Sequence, residues 1–356
     1  MGVFKDMLGA GESLFLNPVA LDFDYHPKVL LYREREQRTI AAAIKPLFTG
    51  RTGRNLFIYG QPGLGKTIAC RHVLQELEEQ TDEIHVLYIN CWQKNTTFKI
   101  LVEICEQLGY KFTQNKNTEQ LLVIIKNIIN KSSAVFAFDE ADKLEDVNFI
   151  YTLIEHIFKK AIILITNDKN WLVNLDDRVK SRLIAEMLEF RPYSEAEIKG
   201  ILKTRADFAF VKGVLDPLAF DAVCRKTFEL KDVRAGLYLL REAGNAAEER
   251  SSKKITIADV EMAIAKLEEF KIKDIEALEE DMRMILGLIK NNSGDKIGEL
   301  YRKYSEAGGK AVYKTFQRKI EKLSQGKYIE TEKIPGGAEG KTTIVRYASE
   351  KKLSEF

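Results

Sequence analysis

The chain has 356 residues, of which 45% are hydrophobic and 30% charged, and its formal net charge is +2. This length predicts two or three domains, and the composition is that of a soluble globular protein. The apolar runs near Ile124 and Ile162 fall short of the roughly 18 residues needed to span a bilayer. Asp6, Glu12, Asp22 and Asp24 suit neither a signal nor a transit peptide. Cys70, Cys91, Cys105 and Cys224 are scattered, so they read as buried, reduced thiols of a cytosolic protein. His26, His72, His85 and His156 form no ligand cluster, which leaves a metalloenzyme reading without support.

Asn55 to Tyr59 is a short apolar run that predicts a buried strand, and Ile68 to Glu79 predicts a helix. Between them lies Gly60-Gln61-Pro62-Gly63-Leu64-Gly65-Lys66-Thr67, which fits G-x-x-x-x-G-K-[ST]. Glycines let backbone N–H groups close around phosphate oxygens, and the positive end of the following helix, from Ile68 onward, adds to the attraction. Lys66 would reach the β- and γ-phosphates, and the Thr67 hydroxyl would complete a Mg²⁺ site. The run predicts a nucleoside triphosphate ligand.

Three further strands are expected at His85–Asn90, Ser133–Phe138 and Ala161–Thr166, with helical pattern between them. That alternation argues for a parallel sheet covered on both faces. The third strand ends in Asp139-Glu140-Ala141-Asp142. Asp139 is expected to hold the Mg²⁺, and Glu140 to orient and deprotonate an attacking water. Asn167, at the tip of the fourth strand, would polarise the γ-phosphate or that water. Arg178 and Arg182 are four apart and share a helix face. One of them, Arg182 by preference, could enter a neighbouring subunit's site as an arginine finger.

From Ser194 the pattern is helical. Ser194…Glu197 and Thr256…Asp259 read as capping boxes, and Asp216-Pro217 as an N-cap followed by proline in the first turn. Within this lid, Asp232-Val233-Arg234 opens a helix whose apolar face is Leu237, Leu240 and Ala247. Arg234 lies off that face and could clamp the γ-phosphate.

The C-terminal stretch from Lys296 to Arg346 holds twelve basic and six acidic residues, so the remainder is net acidic. Helices are expected at Glu279–Lys290, Asp295–Ala307 and Ala311–Gln325, the last burying Val312, Phe316, Ile320 and Leu323. An alternating hairpin follows, Tyr328–Ile334 and Thr342–Tyr347, around a glycine-rich tip. Three helices and a hairpin make the layout of a winged helix. Arg318 is the candidate for a guanine edge, with Lys314, Thr315, Lys322, Lys341 and the wing glycines Gly336 and Gly337 near the duplex.

The chain as a whole resembles the archaeal origin-recognition/cell-division-control family of AAA+ replication initiators. The resemblance rests on Leu31 to Gln37, on Tyr88-Ile89-Asn90-Cys91 with Asn95-Thr96, and on the Asp139 box. It also rests on the Arg178–Arg182 stretch, Asp232-Val233-Arg234 and the C-terminal layout. It implies an α/β fold: a P-loop parallel-sheet ATPase base over 1–192, a helical lid over 193–272 and a winged helix over 273–356. It also implies ATP/ADP and Mg²⁺ as cofactors and slow hydrolysis as a switch. The partners implied are double-stranded origin DNA, paralogous initiator subunits and an MCM-type replicative helicase, in the cytoplasm at the nucleoid. Tyr32 and Arg33 would lie near the adenine. Gln93 to Leu108 would be a DNA-contacting insertion, with Lys94, Asn95 and Lys99 as contacts, although Phe98, Leu101, Val102 and Cys105 also read as a plain apolar stripe. Lys231 and Val233, where the family commonly has Gly and Ala, and Ala141 in the acidic box depart from its pattern. The alternative is another AAA+ loader or signalling ATPase with a winged-helix output, such as a transcription regulator.

Overall fold

The computed structural model describes residues 13–23, 25, 27–276, 278–325, 328–337 and 340–347; for 269–276, 325, 333–337 and 340–342 it describes the backbone alone. The chain divides into two compact units, Met1–Ala263 and Ile264–Phe356. The boundary falls inside a helix, ahead of the expected 272.

In the first unit, α1 (Glu34–Ile44) leads into β1 (Leu56–Tyr59) and α2 (Lys66–Gln80). There follow β2 (Ile84–Asn90), α3 (Thr97–Gln107), α4 (Thr118–Ile129), β3 (Ser133–Asp139), α5 (Asn148–His156) and β4 (Lys160–Thr166). A short α6 (Asp177–Leu183) and β5 (Glu186–Glu189) complete the layer. The sheet order is β2-β3-β4-β1-β5, with every pairing parallel. Phe57, Leu87, Ile89, Phe136, Phe138, Ile162 and Leu164 pack in one core cluster with Leu101, Ile104, Leu121, Ile125 and Leu153 of α3, α4 and α5. Burying such a side chain contributes roughly 1.5–3 kcal/mol.

Two local readings change. On α3 the buried residues are Ile100, Leu101, Ile104 and Cys105, while Phe98 is 44% exposed. β5 was not foreseen, because Glu186, Met187 and Glu189 are exposed and an edge strand needs no apolar run.

The lid consists of α7 (Glu195–Ala209), α8 (Pro217–Leu230), α9 (Val233–Glu249) and α10 (Ile257–Glu276), the last running past the boundary between units. Ser194 and Glu197 form the expected capping box, and the Asp216 side chain caps α8. Residues 13–22 do not join the sheet; they strap across the lid. Leu16 and Asn17 donate backbone N–H bonds to Ala209, and Ser13 and Leu14 donate to Glu248. Phe15 stacks on Phe210 at 4.9 Å. The ring also lies so close to Gly244 that a side chain there would overlap it.

The second unit holds α11 (Glu280–Asn291), α12 (Ile297–Glu306) and α13 (Tyr313–Gln325), then β6 (Ile329–Gly337) and antiparallel β7 (Gly340–Tyr347). Its core gathers Met282, Ile285, Leu286, Ile289, Leu300, Tyr304, Phe316, Ile320, Leu323, Ile329 and Val345. Val312, expected inside, is 66% exposed because the helix begins one residue later; its carbonyl accepts from Thr315 and Phe316.

Candidate nucleotide site and candidate DNA-binding surface

Parallel strands present ligands at their carboxyl ends, beside the point where strand order reverses. Here Gly60 follows β1, Asp139 ends β3 and Asn167 follows β4, so three neighbouring strands deliver their tips to one place. The glycine loop needs its glycines. Gly63 and Gly65 sit at φ 77° and 84°, a left-handed conformation that costs other residues strain. A side chain at Gly63 would also overlap the Asp232 carboxylate.

Lys66 is only 7% exposed. Its ammonium donates to the carbonyls of Gly60 and Gln61 and to Asn167 Oδ1, each at 2.8 Å. Asn167 then donates from Nδ2 to both Glu140 oxygens, at 3.1 and 2.8 Å. Asn167 thus links the phosphate lysine to the carboxylate expected to activate water. Glu140 sits at φ 52°, a conformation uncommon for a non-glycine residue and frequent at functional sites.

Thr67 Oγ1 donates to Asp139 Oδ2 at 2.7 Å, and the Tyr88 hydroxyl donates to the same oxygen at 2.6 Å. Burial, with the Asp139 carboxylate beside it, pushes the Tyr88 phenol up from its ordinary pKa. Burial likewise raises the Cys91 thiol to about 12, so it stays protonated. The four cysteines are buried free thiols. A divalent cation bound with phosphates takes hard oxygen donors, and the Thr67 hydroxyl and Asp139 carboxylate are of that kind. The residues therefore fit Mg²⁺.

A cavity of about 310 Å³ joins these groups to the lid. Gly63, Gly65, Lys66, Thr67, Ile68, Glu140 and Asn167 line it from the base; Ile201, Thr204, Arg205, Arg234 and Leu237 line it from the lid. Its apolar wall comes from Phe23, Pro27, Val29, Leu30 and Leu31. Tyr32 and Arg33 are not among its lining residues. Arg33 is buried beneath it, bonded to the carbonyls of Leu64 and Arg191 and stacked over Tyr193 at 3.8 Å. Tyr32, at φ 63°, reaches instead to Gly200 of α7, where a side chain would overlap its hydroxyl.

Arg234 lies in the cavity and is bonded to Asp232, Nε to Oδ1 at 3.0 Å and Nη2 to Oδ2 at 2.7 Å. Arg178 and Arg182 lie outside the cavity lining, and their side chains are 79% and 60% exposed. They pair loosely with Asp176 at 3.2 Å and Glu155 at 3.4 Å. In the α3 region Lys94 is paired with Glu103 and Asn95 donates to Glu145, whereas Lys99 is exposed.

On α13, Lys314, Arg318 and Lys322 are exposed opposite Phe316, Ile320 and Leu323, and Thr315 is half-buried. Lys319, by contrast, is tied to Asp281 at 2.7 Å and Glu279 at 3.3 Å, so that cation supports the fold. Gly336 and Gly337 end β6, and Gly337 pairs with Gly340 across the hairpin; the side chain of Lys341 lies outside the described residues.

The profile described as an AAA domain matches residues 49–169, and that of the Cdc6 AAA+ ATPase-type lid domain matches 199–265. The chain is 30% identical to ORC1-type DNA replication protein 2 of Archaeoglobus fulgidus, over 92% of this chain and 89% of the relative. Its fold is similar to that of the Aeropyrum pernix ORC1 protein in complex with DNA, with a TM-score of 0.71, 25% identity, and coverage of 96% and 95% of the two chains. The Aeropyrum pernix ORC2 protein in its ADPNP–ADP complexes shares the fold at TM-score 0.71 and 18% identity, over 94% of each chain.

Proposed function

We infer from this site, in a chain that belongs to the family of ORC1-type DNA replication proteins, that it is an ATP-switched replication initiator. One observation carries the reading: Lys66, Thr67, Asp139, Glu140 and Asn167 of the base converge with Arg234 of the lid on a single site.

Lys66 and the loop N–H groups would hold the phosphates of ATP or ADP, and Thr67 and Asp139 would hold Mg²⁺, which would neutralise charge on the phosphate oxygens. Glu140 would take a proton from the attacking water once Asn167 releases it, and Arg234 would exchange Asp232 for the γ-phosphate. Val29 to Leu31 would wall the adenine. Arg182, or Arg178, would complete the site of a paralogous subunit. Hydrolysis would then be slow without that neighbour, as befits a switch.

The second unit, read as a winged helix, would lay α13 in the major groove of origin DNA, with Arg318 at a base edge and Lys314 and Lys322 on phosphates. The chain's 25% identity to a relative described in complex with DNA supports this. Recruitment of an MCM-type helicase and residence at the nucleoid follow from the same reading; no helix of the described residues is long and apolar enough to cross a membrane.

The test is duplex affinity across a salt series, with ATP and with ADP, for origin-derived and scrambled sequences. Base readout should separate the duplexes by about 1–3 kcal/mol per bidentate contact, and Arg318→Glu should erase the difference. Lys66→Ala should erase the difference between ATP and ADP. Equal, steeply salt-dependent affinity for both duplexes, with turnover driven by a protein partner, would instead point to a loader.

A further inference from the structure

The Asp139 carboxylate accepts three hydrogen bonds. Two, from Thr67 and Tyr88, fall on Oδ2, and the backbone N–H of Glu140 donates to Oδ1 at 3.0 Å. Tyr88 belongs to neither the phosphate loop nor the acidic box. It is brought there by sheet register: on parallel strands Tyr88 lies opposite Ala137, so Asp139, two residues on, projects from the same face as its diagonal neighbour. Alternation along β2 turns Leu87 and Ile89 into the core under α3 and α4, and Tyr88 to the α2 side. There the Arg71 guanidinium of α2 lies over its ring at 5.0 Å. Asp139 is 3% exposed, so protein groups set its orientation.

We propose that Tyr88 is a positioning residue of the cation site, whose hydroxyl locks the Asp139 carboxylate toward Thr67 while Arg71 steadies its ring. The proposal rests on the reading of Thr67 and Asp139 as the Mg²⁺ site. The Thr67 hydroxyl can offer a lone pair to a cation while donating its one hydrogen to the carboxylate, so by itself it fixes Asp139 through a single rotatable contact. A second donor on the same oxygen holds Asp139 in place independently of Thr67. Partners of this outer kind tune metal affinity by roughly 10–100-fold where they have been removed.

The experiment titrates Mg²⁺ against a fluorescent ATP analogue, in full-length protein, with an EDTA arm. Tyr88→Phe keeps the ring under Arg71 and removes only the hydroxyl. Affinity in EDTA should stay within about twofold of wild type, while the Mg²⁺ concentration for half-maximal tightening should rise roughly tenfold. Should Tyr88→Phe fail to fold, Arg71→Met keeps the hydroxyl and loosens the ring, and a smaller rise of the same pattern is expected. An unchanged Mg²⁺ requirement would overturn the proposal. So would an equal loss of affinity with and without Mg²⁺, which would make Tyr88 a packing residue. Thr67→Ala distinguishes the two levels: if it keeps the wild-type Mg²⁺ requirement, or if wild type itself shows no Mg²⁺ dependence, the cation site is misread and Tyr88 falls with it.

Discussion

Glu140, the proposed general base, combines a left-handed backbone with a carboxylate whose two oxygens are both held by Asn167. Glu140→Gln keeps the shape and removes the base. Nucleotide affinity should persist while steady-state phosphate release falls roughly 10²-fold or more. At Gly63 the expected effect is steric. Gly63→Ala forces a strained φ and meets Asp232, so it should weaken nucleotide affinity and shift Arg234, measurable as lost protection of the lid from protease. Gly63 was legible because phosphate-loop chemistry is written in contiguous spacing, and Glu140 because its acidic box closes an apolar run. Tyr88 was not, since only the pairing of β2 with β3 brings it to Asp139. Tyr32 and Arg33, which the resemblance implies near the adenine, are not among the cavity's lining residues, whereas Val29, Leu30 and Leu31 are. A run such as Val29-Leu30-Leu31 has no polar mark to separate a ligand wall from ordinary core.

Among the elements, α10 begins on a tightly held carboxylate. Asp259 is fully buried and takes Arg250 at 2.7 Å from both Nε and Nη2, besides the Thr256 backbone N–H and hydroxyl. Above all the Arg250 hydrogen bonds hold its pKa below the ordinary carboxylate value. The folded-state carboxyl is thus more acidic than the unfolded one. Its stabilisation is complete above the unfolded pKa of about 4 and is lost as pH falls through the lower folded value. Arg250→Ala should lower the Tm at pH 7 and flatten the decline of Tm between about pH 5 and 3, as followed by circular dichroism. In the second unit the Tyr304 ring is fully buried against Phe316 at 5.1 Å, and its hydroxyl donates to Asp281 at 2.5 Å and accepts from the Ala311 N–H. Tyr304→Phe takes the acceptor from the Ala311 N–H and one donor from Asp281, which keeps Lys319, and should cost about 1–3 kcal/mol in urea unfolding. Capping signals announced α7 and α8 in the sequence because each cap is local. β5 was silent because its stability comes from pairing with β1, a long-range contact.

At the scale of the molecule, no local pattern announces that residues 13–22 pack on the lid. Their partners lie nearly two hundred positions away: Arg205 donates to the carbonyls of Ala20 and Asp22 at 2.5 and 2.9 Å, and Arg241 pairs with Asp22 at 3.2 Å. Arg205 is itself 7% exposed and lines the cavity. Arg205→Met should free the strap, speed its cleavage in limited proteolysis, and weaken nucleotide affinity by roughly tenfold through loss of charge-assisted hydrogen bonds. The strap has a practical bearing on anyone who shortens this polypeptide. A clone trimmed to start at α1 would keep the glycine loop, the Asp139 box and Asn167, yet discard both Val29, Leu30 and Leu31 of the cavity's oily side and the tether that fastens the leader to the cap. Such a fragment would be expected to look intact in an alignment and still bind its cofactor poorly.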